Sequence, residues 1–104
     1  WEIDWEAMLP ALGANYADPA DLAVAFHRAL AGAMVEVARH AGVGTVVLTG
    51  GCFQNVLLGG LARTALGEAG FHVLEHRLLP PNDGSIAAGQ ALGSLWHLTR
   101  VGLP

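Results

Sequence analysis

Apolar residues return every three or four positions through "ADPADLAVAFHRALAGAMVEVARHAG", putting Leu22, Phe26, Leu30, Met34 and Val37 on one side of a helix. The ends of the segment agree with that period. Asp18 can cap it, Pro19 suits the first helical position, and Asp21 adds negative charge to the first turn. Arg39 and His40 fall in the last turn, and Gly42 is placed to stop the helix. The pattern predicts a long helix with those five apolar residues as its buried stripe.

The period then changes. "TVVLT", 45–49, is an unbroken aliphatic and β-branched run, which predicts a strand covered on both faces. After a glycine corner, "NVLLGGLARTALGEAG" predicts a second helix, with Leu58, Leu61, Ala62 and Ala65 facing inward and Gly70 ending it. Gly59 and Gly60 weaken that helix by about 1 kcal/mol each relative to alanine. "FHVLE" predicts a shorter strand, "HRLLPPND" a loop stiffened by Pro80 and Pro81, and "GSIAAGQALGSLWHLT" a third helix rich in small residues. The order helix, strand, helix, strand, helix is that of an α/β fold with parallel strands and right-handed crossovers. Two strands make a poor sheet, so the 18–98 core is expected to be half a lobe whose missing strands lie elsewhere. A separate N-terminal arm is expected over 1–17, packing Trp1, Ile3 and Trp5 on a neighbouring surface. Trp1 at the first position suggests a processed product or a fragment.

Composition narrows the function. At 53% hydrophobic and 13% charged, the 104 residues are apolar for a domain of this size. No apolar run approaches the roughly 18 residues that suggest a membrane span. No basic leader with an apolar centre opens the chain. The excess apolar surface points to cover by another domain or chain, with a homodimer through the exposed sheet edge as one form of it. The net charge is −4 and all five basic residues are arginines, which leaves no basic stripe for nucleic acid. A single cysteine excludes an internal disulfide and fits a reducing, cytoplasmic compartment.

Candidate chemistry gathers where the strands end, since ligands of open parallel sheets bind beyond the carboxyl ends of the strands. "TGGCFQN" follows the first strand. Gly50 and Gly51 bare the backbone, and Thr49, Gln54 and Asn55 add hydrogen-bonding side chains. A plain strand-to-helix turn with Asn55 as N-cap fits this stretch equally well. It is neither a Walker A loop, for want of the lysine, nor a dinucleotide fingerprint, because the third glycine is misplaced. Asp83, after two prolines and before a helix, reads as a metal ligand or, more simply, as an N-cap. His72 and His76 have an i, i+4 spacing but flank the second strand, where four extended residues hold them about 13 Å apart, and all five histidines read as structural or surface residues. Cys52 has no evident base partner and reads as a small apolar residue. No Ser-His-Asp set, CxxC pair or carboxylate dyad can be assembled.

"VVLTGGCFQNVLL" followed by "GFHVLEHRLLPPNDGSIAAGQA", with "DLAVAFHRALAGAMVEVA" upstream, resembles the C-terminal end of the HypF family of hydrogenase-maturation carbamoyltransferases. The resemblance implies part of a Kae1-like module with an actin-like ATPase (ASKHA) fold. It implies that Gly50, Gly51, Gln54 and Asn55 line a site for ATP or carbamoyl-adenylate, and that Asp83 contributes to an iron or zinc site. The implied reaction has two steps. Carbamoyl phosphate and ATP give carbamoyl-adenylate in an upstream module, and the carbamoyl group then passes to a cysteine thiolate of a HypE-type acceptor. The family's histidine ligands belong to an upstream H-x-x-x-H segment; the spacing recurs here only at His72 and His76, downstream of the glycine corner and across a predicted strand, so the resemblance places the ligands outside this chain. Val56 stands where the family usually has a basic residue, and Gly84-Ser85 where it pairs glycines. The implied role is therefore a piece of an enzyme, inactive alone, whose partners are the remainder of the carbamoyltransferase chain and the acceptor. A binding or dimerisation module without catalysis, or a nucleotide-binding regulator of the same ancestry, are the other readings.

Overall fold

The computed structural model describes residues 4, 6, 9, 10, 13 and 18–101; Trp1, Ile3 and Trp5 of the expected arm lie outside the described residues. Helix α1 runs over Pro19–Ala41. Its start is fixed as the sequence predicts: Asp18 Oδ1 accepts from the Ala20 amide at 2.8 Å. Its end is fixed by Gly42 in the left-handed conformation, φ 66°, with its N–H donating to the Arg39 carbonyl.

Strand β1 (Thr45–Leu48) leads through a short 3-10 turn, Gly51–Gln54, into helix α2 (Val56–Glu68). Strand β2 (His72–Glu75) returns parallel to β1, pairing Thr45 with His72 and Leu48 with Glu75. A second 3-10 turn, Asp83–Ser85, then opens helix α3 (Ile86–Val101). Three helices and two parallel strands thus make a small α/β unit, as the alternation of periods predicts.

The core is where α1 and α2 meet the sheet: Val35 and Ala38 from α1, Leu48 from β1, and Ala62 and Leu66 from α2. Leu66 is wholly enclosed. The buried line of α1 differs from the predicted stripe. Ala31, Val35 and Ala38 are buried, whereas Leu22, Phe26, Leu30, Met34 and Val37 are half-buried. Small residues let the two helices approach closely, and the larger apolar side chains are displaced to the flank. There Leu30, Met34 and Val37 line an apolar cleft beside Val46 and Val47.

The expected double cover of β1 is also corrected. Leu48 is buried and Val46 half-buried, but Val47 is 56% exposed, as is its register partner Leu74 at 44%. Strand side chains alternate between faces, so among the described residues only the Val46–Val73 and Leu48 face is covered. The apolar run records a need for cover on both sides that these residues meet on one. Every residue of α3 from 86 to 100 is exposed, including Leu92, Leu95 and Trp96. Trp96 carries the Arg100 guanidinium 4.2 Å from its ring centre.

Candidate site at the carboxyl ends of the strands

Parallel pairing delivers both strands to the same edge, so the loops after Leu48 and after Glu75 emerge side by side. They are tied together there. The Gly50 N–H donates to the Pro81 carbonyl at 2.6 Å. Thr49 Oγ1 and His76 Nε2 form a second bridge, 2.9 Å long.

Gly50 has φ 106° and ψ 154°, a conformation essentially reserved for glycine. That backbone turns the chain from the strand into the 3-10 turn and aims its N–H at Pro81. Gly51 has no such constraint; a Cβ there would stand 3.9 Å from that of Asn82, in ordinary contact. Gly50 is therefore required by the turn, and Gly51 leaves open the floor between the loops. The Gly51 and Cys52 amides, first in the 3-10 turn, find no acceptor among the described residues.

The second loop is organised by Asn82 rather than Asp83. Asn82 Oδ1 accepts from the Gly84 amide at 2.9 Å, and its carbonyl accepts from Ser85 Oγ at 3.0 Å. The simpler expectation, Asp83 as the cap, is thus corrected by one position: an Asx side chain bonds most readily to the amide two residues on. Asp83 is exposed, and its carboxylate forms no hydrogen bond or ion pair among the described residues. Gly51, Asn82, Asp83 and Gly84 line one open cleft of about 610 Å³, within the roughly 300–1,000 Å³ usual for small-molecule sites.

Of the sequence candidates, the fold brings Gly51 and Asp83 to the same cleft. Gln54 lies beside it, its Oε1 4.0 Å from where a Gly51 Cβ would be. Asn55 serves as the α2 N-cap, its Oδ1 accepting from the Leu57 and Leu58 amides at 3.0 and 3.2 Å. Its Nδ2 bonds His27 Nε2 at 2.8 Å. That partnership joins residues 28 positions apart, and no local pattern announces it. Cys52 is a free, exposed cysteine. No group of three or more His, Cys, Asp or Glu capable of holding a metal forms among the described residues. None of their helices is long and apolar enough to cross a membrane.

Comparison with known proteins adds the family. Residues 1–90 match the model of the carbamoyltransferase Kae1-like domain, second subdomain. The chain is 39% identical over 94 residues to carbamoyltransferase HypF of Synechocystis sp., an alignment covering 89% of this chain and 12% of that protein. It is 47% identical over 76 residues to HypF of Rhizobium leguminosarum, covering 68% of this chain and 10% of the relative. The crystal structure of T. kodakarensis HypF superposes with a TM-score of 0.63 at 35% identity, over 88% of this chain and 12% of that one. The chain thus spans about an eighth or less of the HypF proteins named here. Within that span, sequence and fold agree that the chain belongs to the HypF carbamoyltransferase family, as the second subdomain of its Kae1-like domain.

Proposed function

We propose that this subdomain forms part of an actin-like (ASKHA) carbamoyltransferase unit that moves a carbamoyl group from carbamoyl-adenylate to a cysteine thiolate of a HypE-type acceptor. The observation that carries the reading is the meeting of the two strand-end loops. The bare Gly51 backbone and an uncommitted Asp83 carboxylate face one cleft, in a chain of this family. In the transfer, the thiolate attacks the carbamoyl carbon, a C–S bond forms, the C–O bond to the adenylate breaks, and AMP leaves with the electron pair. This chain's part is positional. The Gly51 and Cys52 amides, with Gln54 and Asn55, hold the nucleotide portion, and a fixed orientation lowers the barrier by sparing entropy at the moment of reaction.

One carboxylate does not make a metal site, because zinc takes about four ligands and harder cations more. Asp83 suits a single oxygen ligand to iron or zinc; the described residues do not complete the set. Asp83→Ala in the full-length protein tests the assignment. Carbamoyl transfer to the acceptor is expected to be lost while carbamoyl-adenylate formation from carbamoyl phosphate and ATP persists. Undiminished transfer by the variant refutes the role of Asp83.

A further inference from the structure

His27 on α1 is the residue of this region for which neither the family match nor the loop geometry gives a task. Its Nδ1 is 2.7 Å from the Ala23 carbonyl one turn back. A carbonyl can only accept, so Nδ1 carries the ring proton of the neutral imidazole, and Nε2 is left as an acceptor. That acceptor faces Asn55 Nδ2 at 2.8 Å. On its other side the Asn55 amide accepts two backbone N–H groups through Oδ1. Reversing the amide would set its NH2 against two donors and its oxygen against the Nε2 lone pair. The orientation is therefore fixed from both ends. Because the amide is planar, holding one Nδ2 hydrogen also fixes the second, which has no protein partner among the described residues.

We infer that His27 is a positioning residue, which locks the Asn55 amide so that its second N–H is presented in a set direction to an acceptor on the bound nucleotide. This rests on the proposal that Asn55 contacts the nucleotide. A histidine serving only to staple α1 to α2 would affect stability and leave the direction of that N–H irrelevant to affinity.

The test is a double-mutant cycle in the full-length protein, with AMP-PNP affinity measured by titration calorimetry and thermal midpoints recorded alongside. Asn55→Ala is expected to weaken binding roughly tenfold, the upper scale of one ordinary hydrogen bond. His27→Ala is expected to weaken it about three- to fivefold, with no further loss when added to Asn55→Ala. In His27→Gln the amide oxygen can occupy the place of Nε2, so affinity is restored. The shorter His27→Asn does not reach, and stays weak. Unchanged affinity in Asn55→Ala overturns the nucleotide-site reading and this inference with it. A weakened Asn55→Ala beside an unaffected His27→Ala, or losses that simply multiply, overturns the role of His27 alone. If His27→Ala does not fold, the Gln and Asn variants decide, and equal affinity in those two refutes the inference.

Discussion

Gly50 and Gly51 are neighbours with identical side chains and different physical duties, which makes them a sharp test of the corner. At Gly50 an added Cβ meets nothing closer than Cys52 Sγ at 4.0 Å, so an alanine there suffers no clash. The cost is conformational. With φ 106° and ψ 154°, a non-glycine residue is strained by about 1–3 kcal/mol. Alanine also restricts the opened chain, which offsets about 0.5 kcal/mol of that strain. The net expectation for Gly50→Ala is a loss of roughly 0.5–2.5 kcal/mol in local opening free energy, or about 2- to 70-fold faster amide exchange. Hydrogen exchange read by mass spectrometry on peptides spanning 49–55 and 78–85 measures it. Both segments are expected to respond, because the Gly50 amide holds the Pro81 carbonyl. Gly51→Ala, free of positive φ and with its Cβ at ordinary contact distance, is expected to exchange like the wild type. Equal exchange in the two variants, or a response in 49–55 alone, would refute the account of the corner as a strained tie between loops.

Leu66→Ala removes the largest wholly enclosed side chain among the described residues and is expected to cost about 2–5 kcal/mol, the usual range for such a truncation; denaturant unfolding that shows less than 1 kcal/mol would mean that the α1–α2–sheet junction is not a packed core. Asn82→Ala takes the cap from the second loop and is expected to cost about 1 kcal/mol, whereas Asp83→Ala, which removes no hydrogen bond among the described residues, is expected to leave stability within about 0.5 kcal/mol. The reverse order of those two effects in thermal denaturation would restore Asp83 as the cap.

Much of this architecture is legible along the chain because its causes are local. Asp18, Pro19 and Gly42 mark the ends of α1 through hydrogen bonds and backbone angles within a few residues of each. The strands and the glycine corner are equally plain, since the switch from helical spacing to an unbroken aliphatic run belongs to the sequence. The corner's two readings also turn out compatible: Asn55 caps α2, as a plain turn would have it, and Gly51 still opens onto the cleft.

Other features depend on what comes near in space. Which side of α1 is buried follows from the close approach of α2, which selects Ala31, Val35 and Ala38 over the larger and more conspicuous Leu30 and Met34. Whether an apolar strand is covered once or twice depends on elements that lie across it. Nothing near Asp83 in the sequence tells that Asn82 takes the capping role and leaves the carboxylate uncommitted. The ties from Gly50 to Pro81, Thr49 to His76 and His27 to Asn55 join residues roughly thirty positions apart, set beside one another by the parallel pairing of two strands and the packing of α1 on α2. The sequence by itself thus determined the elements, their order and the residue types offered at the strand ends, because propensity, capping and periodicity act over a few residues. Only the tertiary structure decided which of those residues share a cleft and which hold each other in place, because those contacts exist only after the chain has closed on itself.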